Sequence, residues 1–141
     1  MNMRSTKVVE EIMRAGLTGD HERFVELMAP DGLIEWPYRP DGVPGELRGR
    51  EAIRAFLAAN SRLIAFHEYT DVEMHETLDP EVVIVEYVAH GTVTATGEPF
   101  EQRPLAVFRV RDGQVVSYRD YINPLPLMKA LRGSRSTAHT P

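Results

Sequence analysis

The sequence predicts an α+β fold, in which N-terminal helices pack on the concave face of a curved antiparallel sheet to make a cone with an open mouth. Three observations carry this expectation. The first part of the chain repeats apolar residues at helical spacing, as in Val8, Val9, Ile12 and Met13. The second half holds long extended stretches rich in β-branched residues, such as Val82-Val83-Ile84-Val85. Short Gly-containing connections, Gly97-Glu98-Pro99 and Asp112-Gly113, join those stretches as hairpins and so make neighbours antiparallel.

The elements follow in order. A helix is expected from about Thr6 to Gly16, broken by Gly19-Asp20, and a second from His21 to Met28 with Phe24, Val25, Leu27 and Met28 as its apolar side. Ala29-Pro30-Asp31-Gly32 reads as a turn. Leu33-Ile34-Glu35-Trp36 reads as a short strand stopped by Pro37. Tyr38 to Leu47 is rich in Pro and Gly and is expected as a loop. Arg48-Gly49-Arg50-Glu51 opens a third helix with Ile53, Phe56 and Leu57 on its apolar stripe, which Leu63 and Ile64 could extend. Tyr69 to Thr77 alternates, placing Val72 and Met74 on one face and Asp71, Glu73 and His75 on the other. Three strands follow: Glu81 to Thr94, Phe100 to Arg111, and a last one after Asp112-Gly113 that runs toward Pro124. Pro124 to Leu131 is a short closing helix or packed tail. The expected organisation is one domain over residues 1–131 and a flexible tail over residues 132–141.

Composition narrows the function. The 141 residues are 43% hydrophobic and 26% charged, which suits one ordered domain with a sizeable core. The net charge is −5 with no basic tract, which argues against nucleic acid or an anionic membrane as the partner. Without cysteine there are no disulfides and no zinc–thiolate sites. The N-terminus leads into a charged amphipathic segment instead of an apolar signal region, and no apolar run is long enough to span a bilayer, so a cytoplasmic protein is expected.

The strand Val115-Val116-Ser117-Tyr118-Arg119-Asp120-Tyr121-Ile122 carries the chemistry. Alternation puts Tyr118, Asp120 and Ile122 on one face and Arg119, Tyr121 and Asn123 on the other. If the first face lines the interior, Asp120 is a desolvated acid fit for proton transfer. If not, it is a surface carboxylate paired with Arg103 or Arg119. On the strand from Glu81, the odd positions Val83, Val85, Tyr87, Ala89 and Val93 form the core side, and Glu86 and His90 the outer side. A register in which Glu86 lines the cavity stays open. By the same parity Gln102 and Ala106 face the interior and Arg103 does not. Trp36 and Tyr38 offer an aromatic wall for a flat apolar ligand, or core packing and loop cover respectively. His67 and His75 lack metal-ligand spacing, and His75 with Asp71 and Glu73 reads as a solvated face, so no metal is expected.

Several motifs together resemble a known family. Gly49-Arg50-Glu51-Ala52, Phe108-Arg109, Asp112-Gly113 and Tyr118-Arg119-Asp120-Tyr121, in this order and spacing, are similar to the SnoaL-like branch of the nuclear transport factor 2-like, cystatin-like superfamily. Within it, Thr70-Asp71-Val72, Glu76-Thr77-Leu78-Asp79-Pro80, Val85-Glu86 with Gly91, and Arg119-Asp120-Tyr121-Ile122-Asn123-Pro124 most resemble the phenazine-biosynthesis A/B-type proteins. The resemblance implies a cystatin-like cone, a homodimer through the sheet face, and a small apolar or aromatic molecule bound inside. In those relatives an acid and a histidine assist an imine-forming condensation. Asp120 stands where their acid is a glutamate, while Phe56 falls at the histidine position.

Other chemistries of the superfamily match less. The two acids of ketosteroid isomerases correspond to Trp36 and Ala106. Limonene-epoxide-hydrolase-like enzymes use an Asp–Arg–Asp set, of which Asp120 fits one member in the same Arg-Asp-Tyr setting. Their Arg-x-Asp pair falls on Tyr87-Val88-Ala89. A SnoaL-type polyketide cyclase base falls near Asn123. The expectation is therefore an acid/base enzyme of secondary metabolism that performs isomerisation, cyclisation, condensation or epoxide opening without metal or organic cofactor. Asp120 and Tyr118 are its expected catalytic residues. Trp36, Tyr38, Phe56, Asn60, Tyr87, Gln102, Ala106 and Ile122 are expected to line the substrate site. The alternative is a non-catalytic small-ligand-binding dimer.

Overall fold

The computed structural model describes residues 4–138, with side chains through Arg132. Three helices come early: α1 (Ser5–Thr18), α2 (His21–Leu27) and, after strands β1 (Met28–Glu35) and β2 (Glu46–Arg48), α3 (Arg50–Asn60). Strands β3 (Ile64–Glu76), β4 (Val82–Val93), β5 (Pro99–Gln102), β6 (Leu105–Arg111) and β7 (Gln114–Tyr121) follow, and α4 (Pro124–Ala138) closes the chain. The seven-stranded sheet runs β2-β1-β7-β6-β4-β3, with β5 also on β4. The fold is α+β, as expected.

Several elements differ from the expected pattern. The sheet is mixed, because β1 runs parallel to β7. The intervening helix and antiparallel strands give the chain the long return that a parallel pair needs. Ala29-Pro30-Asp31-Gly32 is no turn but an irregular stretch inside β1, where the register jumps from Met28↔Val115 to Leu33↔Ser117. The single strand expected from Phe100 to Arg111 is two, because Arg103-Pro104 interrupts it. Pro104 has no N–H to give the ladder, so β5 pairs with Ala89 to Thr92 of β4, and β6 pairs with Val82 to Glu86. Ile64 begins β3 and does not extend the α3 stripe. The closing helix also continues through Ala138 where a tail was expected, and residues 139–141 lie outside the described residues.

The core lies between the helices and one face of the sheet. Val8, Val9, Ile12 and Ala15 of α1, Phe24, Val25 and Leu27 of α2, and Ile53 of α3 meet Val83, Val85, Ala106, Phe108, Val110 and Val115. Each large side chain buried here contributes about 1.5–3 kcal/mol. Arg50 fixes α3 against the end of α2. Its Nε and Nη2 donate to the Met28 carbonyl at 3.1 and 2.8 Å. A second cluster of Ile64, Val93, Phe100 and Ala130 docks α4. The Asp112-Gly113 hairpin has φ of 53° and 77°, the left-handed pair that a two-residue turn requires.

Gly91 sits at a close approach between β4 and β3. A Cβ there would lie 2.6 Å from the Ala65 carbonyl oxygen, a backbone atom that cannot swing away. Gly91→Ala is therefore expected to destabilise the fold by about 1–3 kcal/mol, the usual cost of overpacking. The check is urea unfolding: the midpoint falls while the m-value stays unchanged.

Candidate active site

β7 and β1 build the site together. Their parallel register ends at Ile34↔Tyr118 and Glu35↔Arg119, so the next residue, Trp36, comes level with Asp120. The Trp36 backbone N–H donates to Gly45, which pins the tryptophan at the mouth of the Pro/Gly loop. Its indole Nε1 donates to Asp120 Oδ2 at 3.1 Å. Asp120 Oδ1 is buried without a hydrogen-bond partner.

No cation compensates this carboxylate. None of the ion pairs among the described residues includes Asp120. Arg103 is exposed, and Arg119, on the other face, donates to the Tyr121 hydroxyl at 3.2 Å. The surface-pair alternative for Asp120 is thereby removed. Burial pushes its pKa up to about 7, opposed by the smaller effect of the Trp36 hydrogen bond.

Aromatic side chains surround the acid. Phe56 of α3 packs on Trp36 with ring centroids 4.8 Å apart. Tyr118 lies on Phe108 at 4.3 Å, and Tyr69 on Tyr87 at 4.8 Å. Ala106 is fully buried and is the register partner of Asp120, so only a methyl group stands beside the acid on β6. Ile122 packs against the same core. The tyrosine hydroxyls are held in the neutral form. Burial and then the Asp120 charge raise Tyr69 to about 12, and the same two causes raise Tyr87 and Tyr118 well above the usual tyrosine value. The Tyr87 and Tyr118 hydroxyls also meet, a contact that lowers Tyr87 and raises Tyr118.

Several expected lining residues sit elsewhere or are already engaged. Tyr38 is 60% exposed and lies edge-on to Tyr121 at 5.5 Å, on the face opposite Asp120, so it forms no wall with Trp36. Gln102 is buried, but its amide is spent on the backbone of Asn123, donating to the carbonyl at 2.9 Å and accepting the N–H at 2.8 Å. It braces the end of β7. Asn123, near the expected cyclase-base position, accepts from the Leu125 N–H at the start of α4. Asn60 is half-buried at the end of α3. Glu86 faces outward, 2.8 Å from His75 Nε2, and His90 is 2.8 Å from Thr70 Oγ1. The register in which Glu86 lines the cavity is not formed.

A cleft of about 420 Å³ lies between the start of α1 and the β3–β4 connection, and another of about 360 Å³ lies between α4 and β5. Asp120 lines neither.

The alternation argument assigned Tyr69 to neither face, and strict alternation would put it with Asp71, Glu73 and His75. The β3–β4 register shifts between Thr70 and Glu73, and Asp71 takes φ 52°. The extra residue reverses parity. Tyr69 and Met74 therefore both pack on the core, while Val72 is 47% exposed and does not share Met74's face. The positive φ at an aspartate had no distinctive local signal.

Comparison with known proteins fits this architecture. Residues 9–118 match the SnoaL-like domain model, and the chain belongs to that family. It is 35% identical to an uncharacterised PhzA/B-like protein of Pseudomonas aeruginosa over 96% of both chains. It is 28% identical to the phenazine biosynthesis protein PhzA2 of Pseudomonas aeruginosa over 93% of this chain and 82% of the relative. A crystal structure of a Bacillus subtilis protein provisionally named an isomerase superposes with a TM-score of 0.84 at 32% identity, covering 94% of this chain and 98% of that one. A Xanthomonas campestris structure provisionally named a polyketide cyclase shares the fold, with a TM-score of 0.77 at 24% identity over 91% of this chain and 96% of that one.

The raised pKa has a consequence for stability. An acid at about 7 in the fold and 3.8 when exposed binds more protons folded than unfolded across that interval. Its contribution is therefore intact below about pH 4 and is lost as pH rises through 7. The loss is about 4 kcal/mol by pH 8. Asp120→Asn, which cannot ionise, is expected to be more stable than wild type at pH 8 and to flatten the decline between pH 4 and 8. Urea unfolding of both proteins across that range checks this.

Proposed function

We propose that the protein is a small-molecule isomerase or cyclase that transfers a proton with Asp120 inside an apolar, aromatic cone. The observation that carries this reading is the buried, unpartnered Asp120 Oδ1. A carboxyl group poised near neutrality, with a free oxygen among aromatic rings, can accept a proton from one carbon of a bound carbonyl compound and return it to another. Tyr118 and Tyr87 are proposed as hydrogen-bond donors to the oxygen on which charge develops, since their hydroxyls stay protonated at physiological pH. Tyr69 joins them as a third hydroxyl. Trp36 and Phe56 would clamp a flat ring, with Ala106 and Ile122 completing the apolar wall. We assign this set no metal and no organic cofactor. We also infer a homodimer through the sheet face and a cytoplasmic site of action.

The competing reading is a ligand carrier. It is favoured by the absence of a second proton-transfer group from the positions that relatives use, since Phe56 stands at the histidine position and Trp36 and Ala106 stand at the two acid positions. The test is deuterium incorporation from D₂O into a panel of cyclic unsaturated ketones and aromatic β-diketones, followed by proton NMR. Exchange by wild type that falls on the order of 10²–10⁴-fold in Asp120→Asn supports proton transfer. Binding of the same compounds without exchange supports the carrier. In an active protein, Trp36→Phe removes the one donor to the ionised carboxylate. The pH midpoint of exchange is then expected to move upward from its wild-type value, and a pH–rate profile reads it.

A further inference from the structure

We propose that Glu73, His75 and Glu86 form a divalent transition-metal site, suited to Zn²⁺, on the outer face of the sheet. Glu73 and His75 are two residues apart on β3 and share a face. Glu86 on β4 is the direct register partner of Glu73. The bulge at Asp71 and Val72 turns this part of β3 so that both of its side chains point away from the core.

One ligand atom from each residue lies within 4.8 Å of the others. His75 Nε2 is 2.8 Å from Glu86 Oε2 and 3.9 Å from Glu73 Oε2. Tetrahedral zinc with bonds of about 2.0–2.2 Å holds its ligand atoms about 3.3–3.6 Å apart. The two observed separations straddle that range. The three side chains are partly solvated, so their terminal torsions are free to close on an ion while water takes the fourth position.

Charge supplies an independent argument. Two carboxylates directly opposed across a strand pair repel. Elsewhere on the surface arginines neutralise such groups, as with Arg54 on Glu22 and Arg109 and Arg111 on Glu81. Among the described residues neither Glu73 nor Glu86 has a lysine or arginine partner. Their one neighbour able to carry positive charge is the imidazole. A doubly charged ion would balance both carboxylates and bridge the two strands. The imidazole makes the set a transition-metal set, whereas Mg²⁺ and Ca²⁺ favour oxygen alone. The site lies on the opposite face from Asp120, so it would brace the sheet and stay outside the chemistry.

The test is calorimetric titration of the chelator-treated full-length protein with ZnCl₂, against His75→Ala and Glu86→Gln. Circular dichroism serves to check that the variants fold. The expected result is one Zn²⁺ per chain in the micromolar range, weakened at least about tenfold in each variant and unchanged in Asp120→Asn. Displacement by excess Mg²⁺, zinc heats equal in wild type and both variants, or binding only at millimolar zinc would each overturn the proposal.

Discussion

A carboxylate that has left water with a single neutral donor for company constrains everything around it. The indole hydrogen bond to Asp120 is worth about 1.5–3 kcal/mol at best, because its acceptor is charged. Burying an unpaired charge costs several kcal/mol. The deficit appears as a proton held to near neutrality, and the fold must carry it. The parallel pairing of β1 and β7 makes the arrangement possible, because only that register brings Trp36 level with Asp120. An all-antiparallel sheet of the same strands would place a different residue there.

The groups present restrict the chemistry they suit. Activating water against an epoxide or ester calls for an acid and a base at once, and among the described residues the interior offers one carboxylate. A single group that takes a proton and gives the same proton back has no such need, so proton relocation and ring closure fit best. The tyrosines reinforce this division of labour. With pKa values above the ordinary tyrosine range, they remain donors wherever Asp120 is ionised. The acid titrates and its neighbours do not, so one pH-dependent group is expected to govern activity in the neutral range.

Much of this was legible in the sequence because periodicity reports burial. Val83, Val85, Tyr87, Ala89 and Val93 announce an inner face, and the structure buries all five. Parity likewise grouped Tyr118, Asp120 and Ile122 on one face of the last strand, and the structure turns that face inward. Three things were hidden. The parallel β1–β7 pair depends on a return of more than 70 residues that no local pattern encodes. Gln102 has the parity of a lining residue, but its amide bonds Asn123, and such a partnership across strands is invisible to alternation. Tyr38 follows Trp36 by two residues and yet lies on the other side, because Pro37 ends the strand and with it the rule that alternate residues share a face.

The bulge in β3 ties the two candidate sites together. N-terminal to it, Tyr69 points into the cone. Beyond it, Glu73 and His75 point out and Met74 points in. Had β3 stayed regular with Tyr69 inward, Glu73 and His75 would have faced the core as well, and two glutamate-bearing strands could not have met at the surface. The inserted residue thus lets one strand serve an apolar interior and a charged exterior. The cost is a non-glycine residue at φ 52°, which aspartate tolerates better than most. The strand's irregularity is therefore what positions both its tyrosine and its histidine.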